Sequence, residues 1–148
     1  MPEAMRSQLL ELAKTHAPFE MIGLLGGDDD NIKAFVPAKN HSPTPRVAFY
    51  VEPDAERTLA TALFESGHDV IGAYHSHTVS HARPSQMDLK MVRPGWIMVI
   101  VSPQYEEVCA YEADGTPIDL ELLVPVGSKA RLTHIDDLPD TLDEDDVL

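Results

Sequence analysis

The chain has a single cysteine, Cys109, so it forms no internal disulfide and must fold without that support. No apolar run approaches the roughly 18 residues a membrane-spanning helix needs. The first ten residues, MPEAMRSQLL, hold neither a long apolar core nor a small-residue cleavage site, so no signal peptide is expected. Basic residues are scarce: 11 Lys and Arg stand against 25 Asp and Glu, for a formal net charge of −14. Nucleic acid and anionic membrane surfaces, which need clustered Lys and Arg, are therefore not expected partners. A partner with a basic patch is permitted. No internal repeat is found. The expected location is the cytoplasm.

What the chain does have is enough material for one folded domain. Its 148 residues are 43% hydrophobic and 24% charged, an ordinary globular composition. Met5, Leu9, Leu12 and Ala13 share a face at helical spacing and predict a helix over residues 3–16, stopped by Pro18. Residues 19–25 read as a strand, Gly26-Gly27 and the aspartates after them as a turn, and residues 32–37 as the return strand. A loop over 40–46 and a short strand over 48–51 follow. Pro53 opens a second helix over 53–65, with Leu59, Ala62 and Leu63 as its buried face and Gly67 as its stop. Residues 70–74 predict a buried strand leading into His75-Ser76-His77. A loop over 78–84, a short helix over 85–92 and a buried strand over 96–101 come next. An alternating strand over 105–111, a turn at Asp114-Gly115 and a final strand over 118–124 complete the domain, set at residues 1–126. Residues 127–148 carry many acids and few apolar side chains. They predict a poorly ordered acidic tail, which buries too little to offset its ordering entropy. The order of elements predicts an α/β (α+β) architecture: a mixed sheet with helices on its faces.

The chemistry gathers in one segment. His75 and His77 are two apart, so on an extended chain both imidazoles point to the same side and can reach one ion. Asp88 lies eleven residues beyond His77, near enough for a loop and one helical turn to bring it back as a third ligand. Two imidazoles, one carboxylate and an open position form a common plan for hydrolytic zinc, which lowers the pKa of a water to about 7. Glu20 is out of place in an otherwise apolar segment and is the candidate general base. Ser85 is a candidate donor to a developing oxyanion.

Blander readings compete. Ser85-x-x-Asp88 is also the pattern of a helix capping box, and Asp88 is not expected to cap and ligate at once, so ligation is preferred. Glu20 could pair with a surface cation. Ser76 points away from the two imidazoles and is expected to make a structural hydrogen bond. His81 reads as a solvated loop residue, and His16, His41, His68 and His134 as surface or helix-end residues. Cys109 reads as a buried structural thiol, and Trp96 and Met98 as core.

His75-x-His77, seven residues, Ser85, two residues and Asp88, with Glu20 upstream in Pro18-Phe19-Glu20-Met21-Ile22-Gly23-Leu24-Leu25-Gly26, resemble the JAMM (MPN-plus) metallopeptidases over about residues 3–125. The resemblance implies a curved mixed β-sheet with flanking helices, the cytidine-deaminase-like arrangement. It implies zinc on His75, His77 and Asp88, Glu20 as general base and acid, and Ser85 steadying the intermediate. It further implies cleavage of peptide or isopeptide bonds at the C-terminal glycine of a ubiquitin-like protein. Thr78 stands where the family's deubiquitinases usually have proline. The chain also leaves little room for the insertions of eukaryotic members. Both features resemble prokaryotic stand-alone members that process sulfur-carrier proteins. A non-catalytic scaffold of the same fold and a small-amide hydrolase are the alternatives, and a homodimer stays open.

Overall fold

The computed structural model describes residues 1–29, 31–44, 51–120 and 122, and the backbone of 133–134. Helix α1 spans Glu3–His16, and strands β1 (Ile22–Asp28) and β2 (Asn31–Ala38) form a hairpin. Helix α2 (Pro53–Glu65) precedes β3 (Asp69–Ser76), and the short α3 (Gln86–Met91) precedes β4 (Ile97–Ser102). Strands β5 (Glu107–Tyr111), β6 (Pro117–Ile118) and β7 (Thr133–His134) complete one sheet, ordered β6-β5-β4-β3-β1-β2-β7. It is mixed: β3 pairs parallel with β4, and β2 with β7, while the other neighbours run antiparallel.

Period-two alternation sorts the strands' side chains onto two faces. Met21, Leu25, Phe35, Tyr74, Val99 and Val101 pack beneath Met5, Leu9, Leu10 and Ala13 of α1. Ile22, Leu24, Val36 and Ala38 pack against Leu59 and Leu63 of α2. Met98 and Ile100 continue that second face beneath Leu89 and Val92, around α3. The central strand β4 is buried at every residue, as a strand covered on both sides must be.

Both long helices occupy the predicted residues, although Leu10 is buried on α1 and Leu12 only partly so. Several strands differ from expectation. β1 begins at Ile22, not at residue 19, and runs through Gly26-Gly27. The turn instead falls just after it, where Asp29 takes a positive φ of 53°. The glycines fit inside the strand because they pair closely with neighbours: a Cβ on Gly27 would stand 1.9 Å from the Asn31 carbonyl oxygen. β5 begins at Glu107 rather than at residue 105, and β6 is only two residues long. Trp96 is half-buried and precedes β4, whereas Met98 is core. Cys109 is half-buried, not buried. Of the expected strand over 48–51, only Val51 is described, and it lies outside any strand. The tail expected over 127–148 lies outside the described residues except for Thr133 and His134, whose backbone pairs with β2.

Candidate metal centre

The parallel register sets His75 beside Ile100, on the α2–α3 face of the sheet. The His77 backbone N–H donates to the Val101 carbonyl at 2.9 Å, so the line of β3 continues past its last residue and both imidazoles share that face. The Nε2 atoms of His75 and His77 are 3.2 Å apart. Asp88, in the first turn of α3, brings Oδ1 to 3.2 Å from His75 Nε2 and Oδ2 to 2.9 Å from His77 Nε2. All three residues are buried.

These are the spacings of a ligand set. Donors at tetrahedral corners around an ion bound at about 2.0–2.1 Å lie roughly 3.3 Å apart. The ligand atoms of His75, His77 and Asp88 all lie within 4.8 Å of one another, and these residues could hold a metal ion. The His77 tautomer fits as well. Its Nδ1 lies 3.0 Å from the His81 carbonyl, which only accepts, so Nδ1 carries the proton and Nε2 is turned toward Asp88 and His75. Lone pairs converging this closely are reconciled by a proton or a cation among them.

The electrostatics agree. Burial raises the Asp88 pKa, but the bonds from His75 and His77 outweigh it and hold the carboxyl well below the usual carboxylate range. Burial lowers the pKa of His75, against the pull of Asp88. Burial opposes a charge on His77 too, yet Asp88 and the His81 carbonyl keep its pKa above the ordinary value.

Asp88 also caps. Ser85 Oγ accepts from the Asp88 N–H at 3.0 Å, and Asp88 Oδ2 accepts from the Ser85 N–H at 2.9 Å, so the capping box is complete. The expectation set ligation against capping; the structure shows the capping box formed while the same carboxylate faces both imidazoles. One oxygen of a carboxylate carries more than one lone pair and can face the ring nitrogen and the backbone N–H together. Ser85 is exposed, and a hydroxyl that accepts in the cap can still donate its own proton.

Glu20 sits just before β1 rather than within it and is 7% exposed. Alternation from Ile22 puts it on the side of His75. Its Oε2 has no hydrogen-bond partner among the described residues. Burial, offset by His77 and reinforced by Asp88, pushes its pKa up to about 7. The surface ion pair considered as an alternative is not what a buried carboxyl makes. Two side chains hold this segment: Ser76 Oγ accepts from the Met21 N–H at 2.8 Å, and Asn40 Nδ2 donates to the Glu20 carbonyl at 3.1 Å. Ser76 thus makes the structural bond expected of it. The roles of Asn40 and of the His81 carbonyl were not visible in the sequence, because neither has a local signature. A cavity of about 240 Å³, lined by Ile22, Leu24, Trp96 and Met98, opens against His75 and Asp88.

The pattern that describes prokaryotic homologues of the JAB domain matches residues 2–113. The chain is 34% identical over 104 residues to a desampylase of Haloferax volcanii, covering 68% of this chain and 75% of the relative. It is 34% identical over 89 residues to a probable TtuB-protein conjugate cleaving protease of Thermus thermophilus, covering 57% of this chain and 60% of that one. The fold is similar to that of a JAB1/MPN domain protein from Archaeoglobus fulgidus, with a TM-score of 0.56 and 24% identity over 84% of this chain and 100% of that one. With the family pattern running from α1 through β5 and the same fold in a solved JAB1/MPN domain, the chain belongs to the prokaryotic branch of the JAB (JAMM/MPN) domain family.

Proposed function

We propose that this protein is a zinc metallopeptidase that hydrolyses the peptide or isopeptide bond at the C-terminal glycine of a ubiquitin-like or sulfur-carrier protein. The observation that carries the reading is the convergence of His75, His77 and Asp88 on one point, with the buried carboxyl of Glu20 beside it. Two relatives support the substrate class: one is named a desampylase, the other a probable TtuB-protein conjugate cleaving protease. Two imidazoles and one carboxylate are the donor set that suits zinc with a position left for substrate or water.

Zinc held there supplies a water of near-neutral pKa and polarises the scissile carbonyl. The remaining work belongs to side chains. Glu20 accepts the water's proton on its carboxylate and delivers it to the departing nitrogen, a task suited to a group titrating near 7. The Ser85 hydroxyl donates to the carbonyl oxygen as charge develops on it. Asp88 gains rigidity from the capping box, so its ligand oxygens are held by the first turn of α3. A scaffold role leaves the buried carboxyl of Glu20, set beside His77 and Asp88, without a purpose.

The test is cleavage of a ubiquitin-like protein carrying a C-terminal fusion after its glycine. The zinc-loaded chain is expected to release the fusion. Glu20→Gln is expected to lower kcat by about 10²–10⁴-fold. Full activity in Glu20→Gln, or in excess chelator, contradicts the proposal.

A further inference from the structure

The loop over residues 78–84 has no helix or strand, yet its backbone is tied at consecutive points. Ser102 Oγ donates to the Ser80 carbonyl at 2.6 Å, and the Tyr111 hydroxyl donates to the Ala82 carbonyl. Glu107 Oε1 accepts twice, from His81 Nδ1 at 2.9 Å and from the Ala82 N–H at 3.1 Å. The His81 ring also stacks on Tyr105, with centroids 3.7 Å apart. The His81 carbonyl is used on both sides: it accepts from the Arg83 N–H at 2.8 Å and faces His77 Nδ1 at 3.0 Å.

We infer that Glu107 is a positioning residue for the metal centre: by gripping the His81 ring and the Ala82 N–H together, it fixes the peptide whose carbonyl sets the tautomer and tilt of His77. The inference rests on the proposed metal role of His77. The His81 and Glu107 side chains are 50% and 36% exposed, so as an ion pair they contribute little. Their effect is geometric. The Ala82 N–H and the His81 carbonyl belong to residues joined by one peptide bond, so a carboxylate that orients the first limits rotation of the second. The outer hydrogen bond of a ligating imidazole fixes which nitrogen is bare and where it points, and losing such a partner typically costs 10–100-fold in metal affinity. Glu107 lies at the start of β5, far along the chain from His75, His77 and Asp88, and carries the loop's position to them.

The experiment compares the full chain with Glu107→Ala and Glu107→Gln, the latter keeping an acceptor oxygen. Zinc affinity is read by competition with a chromogenic chelator. The His77 tautomer is read from ring ¹⁵N shifts at pH 9 in the presence of a metal-sequestering chelator. Glu107→Ala is expected to bind zinc about 10-fold more weakly and to show mixed His77 tautomers. Glu107→Gln is expected to stay close to wild type in both readouts. A loop clamp with no bearing on His77 would shift the melting temperature and leave the tautomer alone. The inference is overturned if Glu107→Ala binds zinc like wild type with His77 still protonated on Nδ1, or if the two variants are equally impaired. A wild-type chain that takes up no zinc overturns the proposed function, while the tautomer comparison still decides whether Glu107 orients His77.

Discussion

At the scale of single residues, the centre depends on groups kept in conditions they would not choose alone. Glu20 is the clearest case. Burial pushes its pKa from an ordinary 4.5 up to about 7, so the fold favours its protonated form. Ionisation then costs folding free energy. The cost is absent well below pH 4.5, grows as pH rises, and is complete above about pH 7. Glu20→Gln removes it. In the presence of chelator, that variant is expected to gain stability over wild type, and to gain more at pH 8 than at pH 5 by on the order of 2 kcal/mol. Denaturant unfolding at the two pH values checks this, and an equal gain at both would refute it. Ser85 gives a second residue-scale prediction, because its hydroxyl caps α3 through the Asp88 N–H. Ser85→Ala is expected to cost about 1 kcal/mol of stability and about 10²–10³-fold in kcat. A loss of activity without a loss of stability would show that the cap is not worth its hydrogen bonds.

At the scale of elements, β3 is the part that aims the centre, and its neighbours leave it no slack. Gly72 pairs with Ile97 in β4, and a Cβ there would stand 2.0 Å from the Ile97 carbonyl oxygen. That contact is with backbone and cannot be relieved by a side-chain rotation. Gly72→Ala is therefore expected to push β3 and β4 apart, destabilise the chain by about 1–3 kcal/mol and weaken zinc binding. Thermal melting and zinc titration check the two effects. This close pairing has no mark in the sequence beyond a glycine in an apolar strand. The long helices were legible to the residue, since their apolar spacing and Pro53 act locally. The strand ends were not. Gly26-Gly27 reads locally as a turn, yet close cross-strand pairing keeps it inside β1. The His75, His77, Ser85 and Asp88 spacing was legible because it is short-range. The Asn40 bond to Glu20 and the His81 bond to His77 come from tertiary placement. The sequence also set capping against ligation for Asp88, whereas the carboxylate caps α3 while facing both imidazoles.

At the scale of the whole molecule, charge is the dominant feature. A net charge of −14 repels itself in the compact state, and salt screens that repulsion. The melting temperature in chelator is expected to rise between about 0.05 and 0.5 M NaCl, and a fall would contradict it. Cleavage of a carrier with a basic face should instead slow as salt rises, through a lower kcat/KM. Among the described residues no helix is long and apolar enough to cross a membrane. The proposed chemistry requires one cation held by His75, His77 and Asp88. The direct measurement is metal content after dialysis against zinc, for wild type, Asp88→Ala and Glu20→Gln in parallel. One zinc per chain is expected in wild type and in Glu20→Gln, and none in Asp88→Ala. Zinc retained equally by Asp88→Ala, or absent from wild type, would contradict it.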